Sequence, residues 1–123
     1  MFEVALSEIQ EGQKISHWIW FVLPQLKSLG QSSTALHYGV ESLEEAQNLL
    51  EDPIFNERLG KIVLEIHNKI FSHGLPINYL MGSEIDALKT SSSLTLFEVA
   101  GFSHGKQVLD RIGRCERTLS YLK

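Results

Sequence analysis

Apolar residues recur along most of the chain at intervals of three and four positions, the spacing of one face of an α-helix. The clearest stretch follows Pro53, where five apolar residues share one helical face: Leu59, Ile62, Val63, Ile66 and Ile70. The charged residues of this stretch lie mostly off that face. The pattern predicts an amphipathic helix from about residue 53 to 72, ending at His73-Gly74, with a purely structural role.

Helix start and stop signals divide the rest of the chain. Ser42 with Glu45 forms a capping box, and Asp52 precedes Pro53 at a first helical position. Ser83 begins another helix, for which we expect four inward-facing apolar residues: Ile85, Leu88, Leu96 and Val99. Shorter helical segments are expected at residues 2–12, 76–82, 108–112 and 119–122.

Strand signals are weak by comparison. Only residues 18–23 and 94–97 have the composition of short strands, and neither segment has a partner across a two-residue hairpin turn. At 123 residues, 43% of them hydrophobic, the chain is long enough to bury one core. We therefore predict an all-α fold in which residues 1–123 form a single compact domain of about six or seven short helices, a right-handed α-α assembly.

The charge of the chain argues against several classes of partner. The 11 Lys and Arg residues against 15 Asp and Glu residues give a net charge of −4, which offers no electrostatic reason to bind nucleic acid. No apolar run reaches the roughly 18 residues of a membrane span, and the first residues lack the pattern of a signal peptide. We expect a soluble, cytoplasmic protein that binds neither nucleic acid nor membranes.

Residues that commonly bind metals or react covalently form no specific pattern. Cys115 is the only cysteine, which excludes an internal disulfide. The five histidines lack the spacing of zinc ligands. Residues 101–107 fail the phosphate-loop pattern, because only three residues separate the two glycines and Gln107 stands where Ser or Thr belongs. We predict no metal and no cofactor.

Both tryptophans fall within one ten-residue segment, residues 16–25. Trp18 and Trp20 bring indole N–H groups that need partners when buried, and His17 and Gln25 add polar groups near the two ends of the apolar run. A segment that only fills a core rarely combines these groups. Trp18, Trp20 and Gln25 are therefore candidate ligand-binding residues, and His17 is a candidate for proton transfer.

A second polar segment covers residues 86–97. Five of the six residues from Thr90 to Thr95 carry hydroxyl groups, which favour caps and turns over helix interiors. In one interpretation the helix breaks here and directs free N–H groups, hydroxyls and Lys89 at an anion. In the other, Ser and Thr cap a helix that begins near Leu94, while Asp86 and Lys89 pair on the surface. The candidates are Lys89, Ser92, Ser93 and Thr95 for ligand binding and Asp86 for proton transfer.

A set of motifs extends over nearly the whole chain: Ser16-His17-Trp18-x-Trp20-Phe21-x-x-Pro24-Gln25, Gly30 and Ser32, Tyr38-Gly39, Ser42-Leu43 with Glu45-Ala46, Pro53, Arg58-Leu59, Asp86-x-x-Lys89-x-x-Ser92-x-x-Thr95-Leu96-Phe97, and Val108-Leu109-Asp110-Arg111. Together they resemble the bacterial domain-of-unknown-function family numbered 1810. The resemblance implies a small, compact, all-helical fold, sometimes labelled calpastatin-like, and it implies no activity, substrate or catalytic residue.

Two departures from the family pattern are visible. Leu94 replaces a usual Met, which is neutral for packing. Members of the family commonly carry a further helical stretch before the equivalent of Phe2, and we expect its absence to expose one face of the core. Such an exposed face favours a homo-oligomer or a protein partner.

Two functional hypotheses follow. In the first, the two polar segments meet in a cleft that binds a small anionic molecule, nucleotide-like or phosphorylated, with a tryptophan stacking and Lys89 and the serines holding the charge. His17 or Asp86 is then available for proton transfer. In the second, the domain is a non-catalytic module that binds a protein or peptide in a groove between helices. Convergence of His17, Asp86 and Lys89 in space favours the first hypothesis.

Overall fold

The computed structural model describes residues 1–29 and 32–123, so Gly30 of the family motifs lies outside the described residues. Within those ranges the chain forms nine α-helices: α1 (Phe2–Glu11), α2 (Ile19–Val22), α3 (Ser33–Tyr38), α4 (Leu43–Glu51), α5 (Pro53–Phe71), α6 (Ile77–Leu80), α7 (Glu84–Ala100), α8 (Lys106–Ile112) and α9 (Glu116–Tyr121). Two 3-10 turns are also present, Lys27–Leu29 and Ser103–Gly105.

The prediction of an all-α fold is confirmed. The described residues form no strand, only one isolated bridge between Leu26 and Val40, and the segments at 18–23 and 94–97 are largely helical. The predicted count of six or seven helices omitted α2 and α3. These helices have four and six residues, too few to produce a recognisable apolar period.

The predicted caps are present at the helix ends. The Ser42 hydroxyl accepts a hydrogen bond from the Glu45 amide at 3.1 Å, and the Ser83 hydroxyl accepts one from the Asp86 amide at 3.0 Å. The Asp52 carboxylate caps α5 in the same way through two amides of the first turn. Because these side chains satisfy amides that have no partner within the helix, local sequence alone fixes where α4, α5 and α7 begin.

The two long helices, α5 and α7, organise the core. Helix α5 contacts α1, α4, α6 and α8, while α7 contacts α2, α4, α6, α8 and α9. The predicted apolar face of α5 is buried along its whole length: Leu59, Ile62, Val63, Ile66 and Ile70. None of the helices in the described ranges is both long enough and apolar enough to cross a bilayer.

Helix α7 differs from both interpretations of its hydroxyl-rich segment. It continues without a break through residues 90–95, so the helix neither stops there nor begins near Leu94. Of the four apolar residues expected to face inward only Leu96 is buried, while Ile85, Leu88 and Val99 are exposed. All residues from Thr90 to Phe97 are buried, so the hydroxyl residues lie in the interior together with Leu94, Leu96 and Phe97.

The neighbours of α7 explain why its hydroxyl residues are buried. Ser91 donates a hydrogen bond to the Gly113 carbonyl at 2.6 Å, and Thr95 accepts one from the Cys115 amide at 3.0 Å. The connection between α8 and α9 is therefore fastened directly to α7. Short hydroxyl side chains allow this close backbone approach, and tertiary contacts override the preference of Ser and Thr for helix caps.

We predict that Ile66→Ala lowers the free energy of unfolding by about 2–5 kcal/mol, since it removes a fully buried side chain and leaves a cavity. Leu64→Ala is the matched control on the exposed face of the same helix and is expected to change stability by no more than about 0.5 kcal/mol. Urea unfolding followed by circular dichroism measures both. Equal losses in the two variants would mean that α5 does not bury the predicted face.

Candidate functional site

The segment between α1 and α2 is organised by one carboxylate, that of Glu8. Its Oε1 accepts hydrogen bonds from the Ile15 amide at 2.7 Å, the Ser16 amide at 2.9 Å and the Trp18 indole N–H at 2.9 Å. Its Oε2 accepts one from the Ser16 hydroxyl at 2.5 Å. Desolvation raises the pKa of Glu8, but these four hydrogen bonds outweigh it and lower the pKa to about 2. The ionised carboxylate thus fixes residues 15–18.

Trp18 packs in the core and does not face a cleft. Its side chain is fully buried, and its N–H group is bound by Glu8. Trp18, a candidate ligand-binding residue, therefore lies in the core, where its indole N–H has a polar partner within the protein.

The same segment carries a buried lysine. The Lys14 amide donates to the Leu80 carbonyl at 2.7 Å, and a Cβ atom at Gly82 would lie 2.7 Å from the Lys14 carbonyl oxygen. Gly82 also has a φ of +84°, so glycine is required there for two reasons. The Lys14 side chain is only 4% exposed, and its ammonium lies 2.7 Å from the Asp86 carboxylate and 5.2 Å from the centre of the Trp18 ring. Both backbone and side chain thereby join this segment to α6 and α7.

Asp86 lies between two ammonium groups. Its Oδ2 is 2.7 Å from Lys14 Nζ, and its Oδ1 is 3.8 Å from Lys89 Nζ. The first distance is a charge-assisted hydrogen bond, while the second is too long for one. Lys89, with a side chain 34% exposed, therefore keeps its N–H donors available for a further group.

These side chains line a cavity of about 540 Å³, here called the cationic cavity. Its lining residues come from the segment before α2, from α2 itself, from the start of α3 and from α7: Lys14, His17, Ile19, Trp20, Phe21, Ser32, Thr34, Asp86 and Lys89. Four of the residues selected from the sequence meet here, namely His17, Trp20, Asp86 and Lys89. The two polar segments are therefore neighbours in space.

A second cavity, of about 520 Å³, shares Trp20 and Lys89 with the first and is called the apolar groove. Most of its exposed lining is apolar, contributed by Leu29, Ile77, Ile85, Ala87, Leu88 and Ile112. Its polar members include Gln25, Asn78, Ser91, Ser92, Arg114 and Arg117. Trp20 and Lys89 thus lie between the cationic cavity and a groove whose exposed lining is mainly apolar but includes Arg114, Glu116 and Arg117.

The remaining candidates separate into two groups. Gln25 and Ser92 line the apolar groove, and the Ser92 hydroxyl shares a hydrogen bond with the Thr118 hydroxyl at 3.0 Å. The candidates Ser93 and Thr95 are fully buried and line neither cavity. In the part of the chain that the structure describes, no three His, Cys, Asp or Glu side chains are grouped to hold a metal ion.

Arg114 lines the apolar groove and is held in place by ion pairs with two carboxylates. Its guanidinium binds both oxygens of Glu98, at 2.7 and 2.9 Å, and also one oxygen of Asp110 at 2.8 Å. The hydrogen bond from Arg114 lowers the pKa of Glu98, and hydrogen bonds from Lys106 and Arg114 lower the pKa of Asp110. This network ties α7 to α8 and to the residues that precede α9.

No sequence pattern pointed to Glu8 and Lys14. Glu8 lies on the polar side of an amphipathic helix, where a carboxylate is ordinary, and its partners are seven to ten positions away. Lys14 follows a helix in a loop, where a lysine is usually solvated. Both residues acquire their roles only when distant segments fold together.

Sequence and structure comparisons place the chain in a family. The sequence model for the family described as "Protein of unknown function (DUF1810)" matches residues 1–121. The chain belongs to this family. It is also similar to the crystal structure of the conserved hypothetical protein Rv1873 from Mycobacterium tuberculosis, with 35% sequence identity and a TM-score of 0.86, over 98% of this chain and 87% of that one. No curated protein sequence matches significantly. The predicted DUF1810 membership and the all-helical fold are confirmed, and neither description names an activity.

In this DUF1810 protein, Glu8→Gln is expected to lower the free energy of unfolding by about 1.5–3 kcal/mol near neutral pH, the range for hydrogen bonds to a charged group. Folding lowers the pKa of Glu8 from its ordinary value of 4.5 to about 2, so the stabilisation is complete above the higher value and lost as the pH falls through the lower one. Urea unfolding of both proteins over this pH range measures the difference.

Glu11→Gln provides the control, since Glu11 is an exposed carboxylate at the end of the same helix. It should change stability by no more than about 0.5 kcal/mol at any pH. A deficit for Glu8→Gln that stays constant on acidification would contradict the assigned role of the carboxylate.

Proposed function

We propose that the cationic cavity binds a small anionic molecule, for which a phosphorylated compound is the simplest class. The observation that carries this proposal is the pair of ammonium groups, from Lys14 and Lys89, on a single carboxylate, Asp86. The volume of about 540 Å³ lies within the usual range of small-molecule sites. An anion bound there would meet a positive charge that is already in position.

The charge balance supports the proposal. Two ammonium groups against one carboxylate leave one net positive charge among the lining residues, with His17 counted as neutral. The chain as a whole has a net charge of −4, so this local sign is opposite to that of the protein. A local positive charge in an otherwise acidic protein favours an anion at this cavity.

The two lysines have different proposed roles. Lys14 is buried and held by Asp86 at 2.7 Å, so it contributes a fixed charge. Lys89 is partly exposed and lies beyond hydrogen-bond distance of Asp86, so its ammonium is the group that would contact the ligand. Because both oxygens of Asp86 face ammonium groups, we assign Asp86 to their positioning, which leaves His17 as the candidate for proton transfer.

The alternative, a module that binds a protein or peptide, has its own support in the exposed apolar residues of the groove, Ile85 and Leu88. The anion proposal is preferred because His17, Asp86 and Lys89 line one cavity and are not dispersed among helix caps. A partner protein would require no such convergence of charge.

We predict that inorganic phosphate or glucose phosphate changes the tryptophan fluorescence of the intact protein, because Trp20 lines the cavity. Lys89→Ala should weaken this response roughly tenfold or more, as expected for losing a charge-assisted bond of about 1.5–3 kcal/mol. Added salt should weaken it as well, since the attraction is screened. Trp20→Phe should abolish the response.

The matched control is Lys61→Ala, which removes an equal charge from the exposed surface of α5. It should leave the response unchanged. Equal weakening by Lys61→Ala and Lys89→Ala would reveal attraction to the overall charge, and the absence of any response from the intact protein would reject the anion proposal in favour of the partner-binding module.

A further inference from the structure

The cationic cavity and the apolar groove share two residues, Trp20 and Lys89. Lys14 and Asp86 line only the cationic cavity, whereas most of the exposed lining of the groove is apolar, with Ile77, Leu88 and Ile112 among its walls. The groove also contains the charged residues Arg114, Glu116 and Arg117. A bare inorganic anion or a sugar phosphate would engage only the first compartment. The second would stay filled with water against apolar side chains, which is unfavourable.

We infer that the ligand is an anion with an aromatic group, such as a nucleoside monophosphate, and that it occupies both compartments at once. This inference rests on the proposed anion-binding function and specifies the class of ligand. Its phosphate binds Lys89 in the cationic cavity, and its ring lies in the apolar groove beside Trp20.

The geometry of the boundary supports a ring in the groove. Trp20 is 8% exposed and contributes to the lining of both compartments, so it lies between the proposed positions of the phosphate and the ring. Leu88 is 63% exposed although it lies on a long, central helix. A planar apolar group over Leu88 would bury apolar surface that the folded protein leaves in water.

One polar group in the groove suits an aromatic heterocycle. The Gln25 side chain is buried, and its Nε2 donates a hydrogen bond to the Leu23 carbonyl at 3.2 Å. That contact orients the amide and uses one of its two N–H donors. A carboxamide beside apolar walls can hydrogen-bond to the polar edge of a nucleobase, whereas a purely apolar ring would form no hydrogen bond with it.

The test compares three compounds by isothermal titration calorimetry: adenosine monophosphate, ribose phosphate with its phosphate on the same ribose carbon, and adenosine. Adenosine monophosphate should bind at least about tenfold more tightly than ribose phosphate, the scale of base stacking and burial. Lys89→Ala should weaken both phosphates. Leu88→Ser should weaken adenosine monophosphate by about threefold or more and leave ribose phosphate unchanged, because it removes part of the apolar wall only.

The control for Leu88→Ser is Leu64→Ser, which alters an exposed leucine on α5, away from both cavities. It should leave every affinity unchanged, and thermal unfolding should show that both serine variants remain folded. Equal binding of adenosine monophosphate and ribose phosphate, each sensitive to Lys89→Ala, would overturn this inference and leave the anion proposal standing. Adenosine binding as tightly as its monophosphate, with no effect of Lys89→Ala, would overturn the anion proposal itself.

Discussion

The arrangement of the candidate site depends on the Glu8 carboxylate. Four hydrogen bonds from residues 15, 16 and 18 converge on its two oxygens, so the segment between α1 and α2 has one defined path. That path brings Lys14 against α6 and α7 and leads into α2, which carries Trp20. A single ionised side chain on the first helix therefore determines where the charge and the aromatic ring of the cavity lie.

Lys14, Asp86 and Lys89 together give the cavity its net positive charge. Removing an ammonium group from water is costly, and Asp86 offsets this cost at a distance of 2.7 Å. An apolar pair of similar volume often stabilises a fold equally well, so stability alone does not account for these charges. Their position on the wall of a cavity, with Lys89 on the other oxygen of the same carboxylate, is consistent with a role in binding.

Local chemistry predicted the helix boundaries, because caps such as Ser42 and Ser83 act within three residues. It also selected four of the nine residues that line the cavity, since His17 and Trp20 lie in one dense polar segment and Asp86 and Lys89 in another. It did not distinguish Trp20 from Trp18, because the position of the Trp18 indole depends on its hydrogen bond to Glu8. The sequence also misassigned the inward face of α7, where contacts to distant backbone outweigh the hydrophobic pattern.

The most direct measurement is a titration followed by the two tryptophan indole signals in a proton–nitrogen correlation spectrum, with inorganic phosphate as the added anion. The chain has only two tryptophans, and Trp20→Phe assigns the signals. The account predicts a saturable shift of the Trp20 signal, while the Trp18 signal stays fixed because its N–H group is buried and bound to Glu8. Two stationary signals, or two signals that move together, would contradict the account.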